Sequence, residues 1–233
     1  MSIQRGHFFM SNDYTFSSAY MQNRNVGRVI AQIDFLTERG STKSKLLKWD
    51  RSQGRWFSFN LDWQAIQLSA PEDPEVMVLA VGADGLVSVS TLAGPTEEAV
   101  DTSADGPARR GPIRDLQIIG GTAYVAGMGR QVYRREQAGN WTRQDDGMVL
   151  ARGQIQLCGF NSIGGMNETL IYAVGFNGEI WKCSNGQWLQ QDSPPPWYCT
   201  RSKSYVRTSF LLADNREFCC ETLAVVGRPS RRT

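Results

Sequence analysis

Residues 172–192 read YAVGFNGEIWKCSNGQWLQQD, and residues 124–146 read YVAGMGRQVYRREQAGNWTRQDD. Each runs through a small-apolar-Gly tripeptide, a turn, an apolar-aromatic-basic triplet, a second turn and a Trp. In both, Gln-Asp begins three residues after that Trp. A third copy of the first half lies upstream: AVGADGLVSV from residue 80 aligns with VAGMGRQVYR from 125 and AVGFNGEIWK from 173. The starts are 45 and 48 residues apart. A long pattern reused at that spacing is the signature of repeat architecture.

The grammar of the unit is a strand ending in Gly, a tight turn and a second strand. Asp84-Gly85 and Asn177-Gly178 suit the primed turns that match strand twist in a hairpin. In QVYR and EIWK the side chains alternate, Val132 and Ile180 one way, Tyr133 and Trp181 the other. A second hairpin follows, with Gly54 between Trp49 and Trp56, Asn185-Gly186 between Trp181 and Trp188, and a turn between Tyr133 and Trp141. A preceding strand candidate completes three of the units: AIQLSA (65–70), IRDLQIIGG (113–121) and IQLCGF (155–160), the last followed by a loop, NSIGGMNET. Four short antiparallel strands in about 45 residues is the spacing of a propeller blade.

The chain therefore predicts an all-β fold: a β-propeller, or an open propeller fragment, of about four to five four-stranded antiparallel blades. One propeller domain is expected over 1–233, with blades near 13–62, 63–107, 112–150 and 154–193 and an atypical tail, 197–233. No amphipathic helix stands out. Gly27 interrupts SAYMQNRNVGRVIAQIDFL, and VIAQIDFL reads as a strand. The acidic stretch TLAGPTEEAVDTSADGPARRGP, with Glu97, Glu98 and Asp101 to Asp105, reads as a solvated connector between the second and third blades. The tail loses the grammar, although SFLLADNREFCCETLAVV could form a hairpin at Asp214-Asn215. It is either a divergent closing blade or the product of truncation or a shifted reading frame; the other frames downstream of Pro196 would distinguish these.

The repeat, above all YAVGFNGEIWKCSNGQWLQQDSP, resembles the bacterial WD40/YVTN/BNR-like (Ycf48-like) propellers. The sialidase Asp box and the Gly-His and Trp-Asp pairs of WD40 repeats are missing, so the resemblance implies architecture and not an activity.

Of 233 residues, 41% are hydrophobic and 21% charged, enough for a sizeable core, and the net charge is +2. The basic excess lies in the tail, which has seven Arg or Lys against three Asp or Glu from Trp197 onward. Arg201, Lys203, Arg207, Arg228, Arg231 and Arg232 could touch an anionic partner there, but the chain has no overall nucleic-acid signature. MSIQRGHFFMSNDYTF has no signal-peptide character, and no apolar run approaches the ~20 residues of a membrane span, so a cytoplasmic location is expected. Cys158, Cys183, Cys199, Cys219 and Cys220 are an odd set that favours free thiols, with Cys158 and Cys183 as core residues on strands.

Catalytic chemistry has little to work with. His7 is the single histidine, and no C-x-x-C occurs, so neither a metal site nor a cofactor is expected. Asp145, Asp146 and Asp192 could supply a carboxylate pair for glycoside hydrolysis, but Asp145 and Asp192 recur at equivalent positions, as caps would. Ile163 to Met166 lacks the Lys-Ser/Thr of a phosphate loop and reads as a flexible hairpin loop. Trp49, Trp56, Trp141, Trp181 and Trp188 suit wedges between sheets, with stacking on sugars as the alternative. The expected function is binding without catalysis: a scaffold that meets a protein partner, of assembly, accessory or immunity type. A lectin-like propeller is the alternative, and a hydrolase ranks below it. The expected contact residues are the turn tips Asp84, Met128, Arg130, Phe176 and Asn177, because apolar side chains at turns invite a partner. An open ring would also expose sheet edges to self-association.

Overall fold

The computed structural model describes residues 14–40, 43–148, 150 and 158–192. His7, Cys199, Cys219, Cys220, Trp197 and the tail lie outside them.

Among the described residues, sixteen strands form four meanders. The first sheet is β1 (Tyr14–Asn23), β2 (Val26–Ile33), β3 (Ser44–Asp50) and β4 (Arg55–Leu61). The second is β5 (Ala65–Ser69), β6 (Val76–Gly82), β7 (Leu86–Thr91) and β8 (Pro95–Ala99). The third is β9 (Ile113–Ile119), β10 (Thr122–Gly127), β11 (Val132–Gln137) and β12 (Asn140–Arg143). The fourth is β13 (Phe160–Asn167), β14 (Leu170–Gly175), β15 (Ile180–Ser184) and β16 (Gln187–Gln191). Within each sheet neighbours in sequence pair antiparallel. Two short helices, α1 (Asp34–Glu38) and α2 (Pro107–Arg110), lie in connections. Among the described residues no helix is long and apolar enough to cross a membrane.

The first strands of successive sheets adjoin: β1 meets β5, β5 meets β9 and β9 meets β13. The fold class expected from the repeat is thus the observed one, a propeller arrangement of four-stranded antiparallel blades. Alternation builds the core. In β6, Val78 and Ala80 pack with Ile30 and Leu46 of the first sheet, while Leu79 and Val81 pack with Val125 and Tyr133 of the third. In β10, Ala123 and Val125 serve that second core, and Tyr124 and Ala126 serve a third with Ile163, Ile171 and Trp181 of the fourth sheet. A strand sandwiched on both faces is apolar throughout, which is why VMVLAVG has no polar register.

Three expectations need correction. NSIGGM is not a loop: Phe160–Asn167 is the first strand of the fourth sheet, and Cys158 precedes it instead of lying on a strand. Glycine is required at Gly165 because a Cβ there would press on the Leu170 carbonyl and on Ile119. The acidic connector contains β8, and Glu98 is buried in an ion pair with Arg135 of the next sheet. In VIAQIDFL the strand ends at Ile33, and Asp34 starts α1.

Candidate functional site

The turns between second and third strands meet the sheet-to-sheet connections at one end of the blades. The Ile113 N–H donates to the Ala83 carbonyl (2.8 Å), Val100 to Gly85 (2.9 Å), Met128 to Pro112 (2.9 Å), Gly129 to Cys158 (2.8 Å) and Phe176 to Gly159 (3.1 Å). This crossing explains the glycine that ends each repeat tripeptide. A Cβ at Gly127 would collide with the Pro112 carbonyl, and one at Gly175 with the Gly159 carbonyl.

At the same end, the first strand of every sheet carries a bulge. Pairing skips Ser17, Ile66, Arg114 and Asn161, one residue per sheet at the same place. A bulge re-aims the side chain it frees. Ser17, Arg114 and Asn161 are exposed, and Ile66 is half-buried. Beside these bulges polar side chains join neighbouring first strands. Ser18 Oγ accepts the Leu68 N–H at 3.1 Å. Asp115 accepts the Ser162 hydroxyl (2.8 Å) and the Ile163 N–H (3.0 Å). Burial pushes the Asp115 carboxyl up from its ordinary value despite those donors.

The charged groups of this end are largely tied to one another. Arg130 forks onto Glu179 at 2.9 and 2.7 Å and lies 4.9 Å over the Trp181 ring. The Glu179 bonds hold its guanidinium pKa above the ordinary value. Arg110 donates to Asp145 and to the Gly129 carbonyl (2.6 Å), and Arg143 reaches the same carboxylate at 3.4 Å. Arg109 pairs with Asp105 (2.5 Å). Tyr133 donates its hydroxyl to Asp101 (3.1 Å), and burial first, then that carboxylate, raises its pKa. Arg114 differs: among the described residues it has no carboxylate partner, and its guanidinium lies 5.6 Å over the Phe176 ring.

The five turn-tip residues do share this end, but in different states. Asp84 and Asn177 are exposed; Asp84 caps its own turn by accepting the Leu86 N–H (3.1 Å), and Asn177 adopts φ 57°. Phe176 is half-buried under Arg114. Met128 is only 7% exposed and bridges to Gly159, so its apolar side chain has a packing role that the sequence did not reveal. Arg130 is bound within the fold through Glu179 and Trp181. Sequence reasoning missed Arg114 and Asn161. The pairs Gln67-Leu68, Asp115-Leu116 and Ser162-Ile163, each after the bulged residue, were the available signal.

The candidate chemical groups stand as follows. Among the described residues no three His, Cys, Asp or Glu side chains gather to hold a metal. Asp145 is engaged by two arginines, and Asp146 and Asp192 are exposed. Burial first, then Glu179, pushes the Cys158 thiol up, away from the thiolate a nucleophile needs. Trp181 and Trp188 are buried between the third and fourth sheets, and Trp141 donates to Glu98 of the second (3.0 Å). At the opposite end, an open notch of about 480 Å³ between the second and third sheets is lined by Glu72, Asp73, Glu75 and Glu136 beside Arg135.

Taken with the fold, this is a propeller arrangement whose loop end carries the exposed turn tips Asp84 and Asn177 and the exposed Arg114. No protein-family model matches the chain. It is 31% identical over 176 residues to the immune protein Tsi7 of Pseudomonas aeruginosa, an alignment that covers 73% of this chain and 57% of Tsi7. The chain thus spans a little over half the length of that relative. Among solved structures it is similar to HIRA residues 644–1017, at a TM-score of 0.39 and 12% identity, covering 81% of this chain and 54% of that one. It is also similar to YCF48 bound to D1 peptide, at a TM-score of 0.35 and 14% identity, covering 80% and 69%.

Proposed function

We propose that the chain is a non-catalytic binding propeller of immunity type, which holds a toxic protein partner against its loop end. The observation that carries this reading is the 31% identity to an immune protein. The loop end supplies a surface for it. Asp84, Arg114, Phe176 and Asn177 remain accessible there, while the surrounding arginines are committed to carboxylates within the fold. Residues at turns held by a rigid β scaffold are well placed for recognition, because their positions are fixed before the partner arrives.

The test is capture of source-cell protein on the tagged chain, read by mass spectrometry, with two variants in parallel. Phe176→Asp with Asn177→Lys alters the loop end; Leu92→Glu alters an exposed turn between β7 and β8 at the other end. One dominant protein that is lost in the first variant and kept in the second, and whose toxicity in co-expression the chain suppresses, is the expected result. Equal recovery with both variants would exclude the loop end, and a captured protein without toxicity would exclude the immunity role.

A further inference from the structure

Two arginines of the described residues are buried, Arg28 on β2 and Arg135 on β11, each 6% exposed. Arg135 forks onto Glu98 and has Asp73 at 3.7 Å. Arg28 meets no carboxylate among the described residues. Its Nε and Nη2 both donate to the Gln22 side-chain oxygen at 3.2 Å, and Nη2 lies 3.9 Å from the Met77 sulfur. Burial lowers its pKa from the ordinary arginine value, with Tyr20 acting the other way. Burial acts on Arg134 and Arg143 too, but their carboxylates more than reverse it. An arginine keeps its proton in a protein, so Arg28 is a buried positive charge held by neutral groups. Such a charge costs stability unless an anion compensates it.

The strand register places further cations beside it. Tyr20, Arg28, Lys48 and Phe57 lie directly opposite one another across the four strands of the first sheet. Their face also carries Ile30 and Leu46 and turns toward the second sheet. Arg55, two residues before Phe57, shares it. The Arg55 guanidinium lies 4.5 Å from the Phe57 ring centroid, and the Lys48 ammonium 5.0 Å. Arg55 is exposed and donates to the neutral Gln53 side chain (3.1 and 2.8 Å). Among the described residues the one carboxylate of this group is Asp50, 3.2 Å from Lys48 and already accepting from Ser52. The second sheet supplies no counter-charge at this height: Val78 has Ser90 opposite it on β7, and Ser90 has Pro95 on β8. The acidic Glu72, Asp73 and Glu75 line the notch toward the third sheet instead.

We infer that this cleft between the first and second sheets, at the end away from the turn tips, binds a phosphate group in its doubly charged form, a phosphate monoester or inorganic phosphate. Arg28 is the buried anchor, and Lys48 and Arg55 flank it. Three cations against one carboxylate leave an excess of two positive charges. A phosphate monoester carries about −1.5 to −2 charges at neutral pH and matches that excess. Gln22 holds the Arg28 fork in place while Nη1 is used by none of its contacts, which is the pre-set donor an oxyanion needs. Arg24 and Arg51, exposed on the two hairpin turns of that end, extend the positive field that draws an anion in.

The test titrates the full chain with methyl phosphate and, separately, with dimethyl phosphate, from about 0.05 to 20 mM at constant ionic strength near neutral pH. Calorimetry gives the affinity, and the Met77 methyl resonance gives the place. Methyl phosphate is expected to shift that resonance saturably and to bind about tenfold or more tighter than the singly charged diester. Arg28→Met, which keeps an apolar stem beside Met77, should weaken binding about tenfold or more, and Lys48→Gln about threefold or more. Both variants are checked for folding by circular dichroism, and Lys48→Gln still decides the matter if Arg28→Met does not fold. A Met77 resonance that methyl phosphate leaves in place would overturn the inference. So would an affinity that Lys48→Gln and a folded Arg28→Met leave unchanged, since the anion would then sit elsewhere on the chain. Equal or tighter binding of the diester would also overturn it, and would point to a nucleic-acid backbone. None of these outcomes depends on what binds the turn tips.

Discussion

Met128 and Phe176 follow the terminal glycines of equivalent strands and have opposite roles. Met128 is buried where the connection into the third sheet crosses Gly127, and its Cβ fills the space beside Gly111. Phe176 stays half-exposed, with Arg114 stacked on it. Met128→Ala is therefore expected to cost about 2–4 kcal/mol of stability, as other truncations of buried large side chains do. Phe176→Asp should cost less than about 1.5 kcal/mol, because its ring can be removed without opening the core. Urea unfolding followed by fluorescence compares the two, and similar midpoint shifts would mean that Phe176 is a packing residue and not a contact one. Arg130 belongs with Met128. Its partner Glu179 is 49 positions away, so no local pattern marks the charge as already taken.

At the scale of the strand, β8 is the most informative element. Its sequence, PTEEA, has the composition of a loop, yet Glu98 is held by Arg135 in a fork of 3.0 and 2.7 Å and by Trp141 Nε1 at 3.0 Å. Burial pushes its carboxyl up, but the Arg135 fork, the Gly139 N–H and the indole together pull it further down, below the ordinary glutamate value. A carboxyl with a lowered folded pKa stabilises the fold above the ordinary carboxylate range, and that contribution is lost as pH falls through the lowered value. Glu98→Gln should then destabilise the chain by about 3 kcal/mol near neutral pH, since buried Arg135 is left with only the longer contact to Asp73 (3.7 Å). The variant's urea midpoint should also fall less steeply than the wild type's from about pH 5 to pH 3. Parallel pH profiles would show instead that the pair contributes nothing to the acid response. The turns were legible because their chemistry is local: Asn177, Asn185 and Gly54 take the left-handed conformations that their residue types announce. β8 and β13 were not legible. A buried glutamate and a Gly164-Gly165 pair look like loop residues until the neighbouring sheet supplies the counter-charge in one case, and the Leu170 carbonyl of the adjacent strand and the Ile119 side chain of the neighbouring sheet close on Gly165 in the other. The site divides the same way. Exposed turn tips such as Asp84 and Asn177 could be read directly, whereas the bulge that presents Arg114 depends on the pairing of β9 with β10.

Over the whole molecule, stability is shared between sheets that touch only their neighbours, and in such a series it is roughly a sum of unit and interface contributions. Among the described residues the second and third sheets each take part in two apolar cores, whereas the first and fourth each take part in one. Opening should therefore start from the ends. In native-state amide hydrogen exchange, Val78 to Val81 of β6 and Tyr124 to Ala126 of β10 should exchange slowest, at the rate of global unfolding. Leu46 and Leu47 of β3 and Ile171 to Ala173 of β14 should exchange faster, although they are just as buried. Uniform protection across all four sheets would mean that the chain opens as one unit and that the end sheets are not its weak points.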